Sequence, residues 1–314
     1  KAVRKECFEL AKDEALPEAT AATLIRAHGL THEMVPPRLR DSVKVWGALL
    51  ERMPYRALLR NLSTLTRLGV LHDRDALALT LDKLAKVQDT RTHPIAVLLA
   101  MLAYTGGRSK GGQTWTAEPA VMRALDGAYY AAFGEIQPLG KRLLVACDVS
   151  GSMDSGAVAG CEFITPRIAT GALACALTHK EPLAAVVGFT AANRHQMGGM
   201  HGGGDSGLTP LDIAGRRLDD VCAMMKALPM GGTDCSLPIR AALAKRVEVD
   251  LFVVITDNET WAGPVHPHIA LQQYRKTMGV NAKLAVLALT STGSTIADPS
   301  DPGMLDIVGL SADV

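Results

Sequence analysis

The stretch KRLLVACDVSGSMD, residues 141–154, joins an apolar run to a polar turn. Its residues 143–147 are all apolar, which predicts a buried central strand of a parallel sheet. Asp148, Ser150 and Ser152 then follow in the pattern Asp-x-Ser-x-Ser. Ligands of open α/β sheets bind at the carboxyl ends of the strands, and carboxylate and hydroxyl oxygens suit Mg²⁺. The stretch therefore predicts a divalent-cation site, although a turn in which Asp148 and Ser150 only cap the next helix would use the same residues.

Two later stretches strengthen the prediction of a cation site. Residues 230–234, MGGTD, form a glycine turn that opens a helix and offers a threonine hydroxyl. Residues 250–257, DLFVVITD, form a second buried strand that also ends in an aspartate. With the first stretch they resemble the metal-ion-dependent adhesion site of von Willebrand factor A domains, complete at all five positions. The expected ligands are Asp148, Ser150, Ser152, Thr233 and Asp257.

We expect this site to hold one divalent cation, Mg²⁺, and to bind a partner rather than to catalyse. Five side chains leave at least one coordination position open for a partner's carboxylate or for a phosphate. The rival prediction is a metal-dependent phosphohydrolase or nuclease, in which two ions and a water are held by Asp148, Asp257, Asp154 and Glu259. Hydroxyl groups dominate the site, and no His or Lys has an evident role as a base, so we favour binding.

Composition predicts a globular protein with two domains, since the chain has 314 residues and an apolar content of 48%. The net charge of +1 hides an asymmetry. Residues 1–116 contain 18 Lys or Arg and 12 Asp or Glu, whereas residues 117–314 contain 15 and 20. A basic first half suits a polyanionic partner and an acidic second half suits a cation, although ordinary solvated charge also explains a difference of this size.

Cysteine usage and hydropathy predict a cytoplasmic protein that binds no membrane. The six cysteines include no C-x-x-C pair, no signal peptide opens the chain, and no stretch reaches the roughly 18 apolar residues of a membrane span. This pattern is typical of a reducing compartment. Because the chain begins with Lys1 rather than Met, we expect it to be part of a longer protein.

Amphipathic periodicity in the first 105 residues predicts helices and no strands. In the clearest helix, which Pro54 opens and Gly69 ends, apolar residues recur at i, i+3, i+4 and i+7. Asp73 or Asp75 would cap the helix that follows. Short connections between such helices predict an α-solenoid of HEAT-like repeats. Further predicted helices span residues 17–26, 37–51, 93–102 and 119–133.

Arginines on one side of the Pro54 helix are candidates for phosphate contact. They project opposite the leucines and comprise Arg52, Arg56, Arg60 and Arg67. Guanidinium groups bond phosphate oxygens in bidentate fashion, although a solvated face would have the same pattern. Arg108 and Lys110 lie in a loop, residues 105–116, that we expect to be mobile and that lacks the order of a phosphate-binding loop.

From residue 141 onward, strands and helices alternate, which predicts a doubly wound, mostly parallel sheet. After the first strand, the predicted strands are 183–189, 251–256 and 282–289, and the predicted helices are 165–178, 211–228, 236–245 and 264–278. A glycine-rich loop, residues 194–207, contains His195, His201 and Asp205. Their spacing fits no familiar metal site, so we predict none there.

Four long stretches resemble the sixty-kilodalton Ro autoantigen family and its bacterial relatives. They are PYRALLRNL (54–62), MGGTDCSLP (230–238), TDNETWAGPVHP (256–267) and TIADPSDPGMLD (295–306). The resemblance implies a ring of helical repeats, the TROVE module, joined to a von Willebrand factor A domain. The expected division is a TROVE-like helical portion at 1–116, a connecting helix and junction at 117–140, and the A domain at 141–314.

The resemblance also implies an RNA-binding scaffold of a ribonucleoprotein. Members of the family bind small non-coding Y RNAs outside the ring and single-stranded ends of misfolded RNAs in its hole. Bacterial members work with a 3′ exoribonuclease. The RNA-contact candidates here are Arg56, Arg60, Arg67, Arg108 and Lys110. Two features depart from the family: its helical module is longer at the N-terminus, and the glycine-rich loop at 197–207 is not typical of it. A protein-binding adhesion module without RNA is the remaining alternative.

Overall fold

The computed structural model describes residues 16–109, 111–134, 137–158, 164–190, 207–229, 231–257, 263–290 and 296–309. The chain divides between Gly134 and Glu135 into two units. The first unit is helical, and the second is built on a mixed sheet flanked by helices. This arrangement confirms the predicted fold class, a helical portion followed by a doubly wound α/β domain.

The first unit consists of helices joined by short turns. They are α1 (Glu18–His28), α2 (Val43–Arg52), α3 (Tyr55–Arg67), α4 (Arg74–Ala85), α5 (Pro94–Thr105) and α6 (Pro119–Ala131). Short 3₁₀ segments lie between them at His32–Met34, Pro37–Leu39, Val70–His72 and Val87–Thr90. Neighbours along the chain pack together, α1 against α2 and α5 against α6, and α4 also packs against α6.

Helix α3 shows how the sequence pattern builds this unit. Pro54 precedes its first turn, and Gly69 follows it with a φ of 78°, a left-handed conformation that glycine adopts without strain. The predicted apolar face is buried and comprises Tyr55, Leu58, Leu59, Leu62 and Leu65. Burying each leucine contributes about 1.5–3 kcal/mol, so this face anchors the helix.

Three local features of the first unit differ from the sequence prediction or refine it. The helix predicted at 37–51 begins only at Val43, because the Ser42 hydroxyl accepts a hydrogen bond from Val45 N at 3.3 Å and so caps it there. Asp73, not Asp75, caps α4 by accepting bonds from two backbone N–H groups. The loop predicted at 105–116 contains an antiparallel bridge between residues 108 and 114.

The second unit is organised around a six-stranded sheet with the order β3-β2-β1-β4-β5-β6. The strands are β1 (Leu143–Asp148), β2 (Ala184–Phe189), β3 (Leu208–Pro210), β4 (Leu251–Thr256), β5 (Lys283–Ala288) and β6 (Met304–Val308). All neighbours pair in parallel except β2 and β3. The helices are α7 (Pro166–Lys180), α8 (Leu218–Lys226), α9 (Leu237–Ala244) and α10 (Pro267–Met278), and a 3₁₀ segment spans Gly151–Asp154.

The two central strands are the two that the apolar runs predicted. Val145 of β1 lies opposite Val186 of β2 on one side and Val253 of β4 on the other. Buried side chains of β4, α10 and β5 form the core beside them, with the rings of Phe252 and Tyr274 in edge contact at 5.1 Å. Because β1 and β4 are parallel neighbours, their carboxyl ends meet at one edge of the sheet.

Three predictions for the second unit were wrong or incomplete. The helix predicted at 211–228 forms only as α8, because the segment before it turns at Gly215, whose φ is 69°. The short edge strands β3 and β6 were not predicted. β6 contains a charged residue and leaves Leu305, Ile307 and Val308 exposed, so it lacks the continuous apolar run of a central strand.

Some sequence predictions lie outside the described residues. They concern Lys110, the loop candidates His195, His201 and Asp205, and Glu259. Among the helices that are described, none is both long enough and apolar enough to cross a membrane.

Candidate functional site

Asp148, the last residue of β1, lies at the centre of the candidate site. Its side chain is fully buried, its Oδ1 accepts a hydrogen bond from Ser150 N at 2.8 Å, and its Oδ2 accepts one from the Thr256 hydroxyl at 2.7 Å. Burial raises the pKa of Asp148 above its ordinary value, while the bonds from Ser150 and Thr256 oppose this effect. No Lys or Arg within the described residues forms an ion pair with it.

The other predicted ligands of this loop and of β4 lie beside Asp148. Ser150, which precedes the 3₁₀ segment, and Ser152 within it have their Oγ atoms 3.1 Å apart. Asp257 is buried directly after β4, with its Oδ1 3.4 Å from Thr256 Oγ1. Thr256 thus links the two carboxylates, and the structure brings four of the five predicted ligands together.

The fifth predicted ligand, Thr233, lies at the same edge of the sheet. It is 3% exposed, and the carbonyl of the preceding Gly232 accepts a hydrogen bond from Thr190 Oγ1 at 3.0 Å. Thr190 directly follows β2, the neighbour of β1, so this bond holds the threonine loop at the carboxyl ends of the strands. Within the described part of the chain, no hydrogen bond joins Thr233 to the other four predicted ligands.

Asp234, which was not predicted to have a role, stabilises the threonine loop. Its Oδ1 accepts bonds from Ser236 N at 3.0 Å and from the Ser236 hydroxyl at 2.6 Å, and its Oδ2 accepts one from Arg240 at 2.6 Å. A Cβ at Gly263 would lie 2.5 Å from the Asp234 carboxylate, so this close approach requires glycine. The T-D-x-S order, in which an Asx residue can bond its own loop, was the signal available in the sequence.

Asp154 is paired with Arg167, and a metal ion bound by Asp154, as the nuclease alternative requires, would have to displace this arginine. Arg167 of α7 donates through Nε to Asp154 Oδ1 at 2.6 Å and through Nη2 to Asp154 Oδ2 at 3.1 Å. These bonds hold the pKa of Asp154 below its usual value. Both carboxylate oxygens of Asp154 are therefore already hydrogen-bonded to Arg167.

The donor chemistry of the site fits a hard divalent cation. Two buried carboxylates and three hydroxyls supply oxygen ligands only, which suits Mg²⁺ better than Zn²⁺. Over the described residues there is no group of three or more His, Cys, Asp or Glu side chains that would make a different metal centre. Among the described residues no Lys or Arg pairs with the buried Asp148, so a bound cation would favour its charged form.

The arginine stripe predicted on α3 loses one member, because Arg52 is the last residue of α2. Its other members divide into two parts. Arg56 and Arg60 are exposed, and their guanidinium groups make no hydrogen bond within the described residues. Arg67 instead donates to Asp41 Oδ1 at 3.1 Å, and its buried Nε has no acceptor among the residues that the structure describes. Arg108 is exposed at the bridge after α5. The first two arginines are therefore the better placed for an external phosphate.

Comparison with known families identifies the second unit. A family model described as the Ro60 vWA domain matches residues 142–314, more than half of the chain. The chain belongs to the Ro60 family. A second family model, the TROVE domain, matches residues 26–120 in the helical unit. Both matches confirm the resemblance found in the sequence.

Relatives in the Ro60 family cover almost the whole chain. It is 40% identical over 305 residues to RNA-binding protein RO60 of Deinococcus radiodurans, covering 95% of this chain and 55% of that protein. It is 34% identical to RNA-binding protein RO60 of Caenorhabditis elegans, covering 98% of this chain and 46% of that protein. The chain thus spans about half the length of the curated relatives it matches.

A solved structure agrees with the fold. The crystal structure of the Deinococcus radiodurans RO (RSR) protein matches with a TM-score of 0.77 and 38% identity. The match covers 99% of this chain and 60% of that one. Because the match covers almost the whole chain, it includes both the helical unit and the sheet unit.

Proposed function

We propose that this chain is an RNA-binding scaffold of a ribonucleoprotein whose sheet unit holds one divalent cation. The observation that carries the RNA part is the 40% identity, over 95% of the chain, to a relative named RNA-binding protein RO60. The family resemblance favours a small non-coding RNA, of the Y RNA or misfolded type, as the partner. It also favours a 3′ exoribonuclease as a second partner and the cytoplasm as the compartment.

The proposed RNA contacts are the exposed arginines of the helical unit. Arg56 and Arg60 are one helical turn apart on α3, so their guanidinium groups can reach successive phosphates of one strand. Arg108 and Lys110 extend the candidate set, and Arg67 belongs to it only if a phosphate displaces Asp41. Phosphate contacts of this kind give affinity that falls steeply as salt is added.

Replacing Arg56 and Arg60 with Ala is expected to weaken RNA binding and to flatten its salt dependence. The plot of log K against log salt should become less steep. The magnitude of its slope should decrease by roughly 0.7–0.9 for each phosphate that is no longer neutralised, because fewer counterions are released. Filter binding to structured and single-stranded RNA across a salt series measures this slope. Arg216→Ala, an exposed arginine of the other unit, is the charge-matched control.

Two outcomes of that experiment would contradict the proposal. An unchanged slope in the Arg56 and Arg60 variants would assign those residues to an ordinary solvated face. A wild-type chain that binds neither kind of RNA would favour the adhesion module without RNA.

We propose that the cation site binds rather than catalyses. The residues that would hold the ion are Asp148, Ser150, Ser152, Thr233 and Asp257. When bound, the ion would offer a coordination position to an anionic group of a partner. The buried carboxylates would orient it, and the hydroxyls, which carry no charge, would leave it strongly positive. The relatives' names, which describe RNA-binding proteins and not enzymes, agree with this role.

Incubating the chain with labelled single-stranded and duplex RNA in Mg²⁺ or Mn²⁺ should produce no cleavage above that of an Asp148→Ala/Asp257→Ala control. A two-ion mechanism needs further carboxylates, and both oxygens of Asp154 are already bonded to Arg167. Gel analysis of the RNA measures the result. Cleavage that requires the metal and disappears in the double variant would establish a nuclease instead.

A further inference from the structure

A buried arginine beside the candidate cation site has no role among the proposed ligands. Arg167 is the second residue of α7, and its side chain is 3% exposed. In addition to its two bonds with Asp154, its Nη2 donates to the carbonyl oxygen of Ser150 at 3.2 Å and its Nη1 to that of Met225 at 3.4 Å. A charge buried to this extent is costly unless it is paired and hydrogen-bonded, so these acceptors fix the guanidinium in one place.

Arg167 acts on the backbone of a proposed cation ligand. The carbonyl oxygen of Ser150 also accepts a hydrogen bond from Met153 N at 3.3 Å, so both of its lone pairs are used. Two donors on one oxygen hold the peptide between Ser150 and Gly151 in a single orientation. That peptide connects Ser150 to Ser152, whose hydroxyl oxygens lie 3.1 Å apart.

The bond to Asp154 fixes the other end of the same segment. Asp154 is the last residue of the 3₁₀ segment, and its carboxylate meets the guanidinium through two parallel bonds. Arg167 thus bonds to this segment at two points, the carbonyl oxygen of Ser150 before Ser152 and the carboxylate of Asp154 after it. Arginine is needed for this, because its planar fork binds a carboxylate with two nitrogens and a lysine ammonium has no such geometry.

We propose that Arg167 is a positioning residue of the cation site, which holds the serine hydroxyls in the arrangement that the ion needs without touching the ion. Through the carbonyl of Met225 it also ties this arrangement to the last turn of α8. The inference rests on the proposed cation site. It adds to that site a requirement for a side chain outside the ligand set.

The second unit contains a matched pair that serves as a control. Arg275 of α10 pairs with Asp301, and its Nε donates to the carbonyl oxygen of Ala282 at 2.7 Å. Its side chain is 21% exposed, so it too is a largely buried arginine bonded to a carboxylate and a carbonyl. Neither Asp301 nor Ala282 adjoins a proposed cation ligand in the sequence, so this pair should contribute to stability alone.

Calorimetric titration of the whole chain with Mg²⁺, repeated with Mn²⁺, tests the positioning role. Arg167→Met should lower Mg²⁺ affinity by about 10–100-fold, the usual effect of removing a group that orients a metal ligand. Arg275→Met should leave Mg²⁺ affinity unchanged, although both variants should unfold at lower temperature. Arg167→Lys should show an intermediate loss. Asp154→Asn, whose side chain is partly exposed and of unchanged size, tests the same contact if Arg167→Met does not fold.

Three outcomes would contradict the proposal. Folded Arg167→Lys and Asp154→Asn proteins with wild-type Mg²⁺ affinity would overturn the positioning role and leave the cation site standing. A wild-type chain that binds neither ion would overturn the cation site itself, and the role of Arg167 with it. Equal losses of affinity in Arg167→Met and Arg275→Met would show a general effect of stability and would also overturn the proposal.

Discussion

Replacing Asp148 with Ala or Asn is expected to abolish Mg²⁺ binding while leaving the fold of the second unit intact. The loss should exceed the roughly 100-fold upper end seen for groups that only orient ligands, because a buried charged ligand is removed. In the absence of the ion, no Lys or Arg in the described part of the chain pairs with the buried Asp148 carboxyl group, so its removal relieves a desolvation cost. We therefore expect the Asn variant to be at least as stable as the wild type in chelator.

Two measurements check this result. Calorimetry reports affinity, and thermal unfolding with and without Mg²⁺ reports the stabilisation that a bound ion provides, which is about 2.7 kcal/mol at 100 times its dissociation constant. Asp219→Ala removes an exposed carboxylate of the same unit and should change neither quantity. Undiminished Mg²⁺ binding by the Asp148 variants would end the assignment of the site.

Replacing Tyr274 with Ala is expected to destabilise the second unit by about 3–5 kcal/mol or more. The ring is fully buried against Phe252, and emptying its place leaves a cavity. Its hydroxyl also accepts a hydrogen bond from Val249 N at 2.7 Å and donates one to the carbonyl oxygen of Val247 at 2.7 Å. Removing the hydroxyl leaves both backbone groups without this partner in the segment that leads into β4.

Tyr274→Phe separates the two contributions, since it keeps the ring and removes only the hydroxyl. Its expected cost is about 1–3 kcal/mol, the penalty for leaving buried polar groups unpaired. Denaturant unfolding followed by hydrogen exchange gives the free energy and locates it, because the loss of protection should concentrate in β4, β5 and α10. A loss confined to the helical unit, or none at all, would contradict this account of the core.

The parts of the fold that could be predicted are those in which one sequence pattern, such as a continuous apolar run, dominates. β1 and β4 are long apolar runs, and only a central parallel strand buries both of its faces. β3 has three residues and β6 lies at an edge, so neither carries such a run. The segment before α8 was mistaken for helix because Leu211 and Ile213 are apolar. Both are buried, but they belong to irregular backbone.

The candidate site was predictable where the ligands themselves form a pattern. The residues that support it were not, because their roles depend on contacts between distant parts of the chain. Thr256 is a β-branched residue in a strand, and nothing local distinguishes it from a packing residue until β1 places Asp148 beside it. Arg167 likewise resembles any charged residue near the start of a helix until the fold buries it against Asp154.

The bond between Thr256 and Asp148 spans 108 residues of sequence, which has a consequence during synthesis. The chain leaves the ribosome N-terminus first, so the helical unit can fold while β4 is still being translated. Until β4 pairs with β1, the oxygen atoms of the two loops remain far apart, and an ion gains nothing from an incomplete sheet. Capture of the ion would therefore mark the pairing of β4 with β1 in the newly made chain.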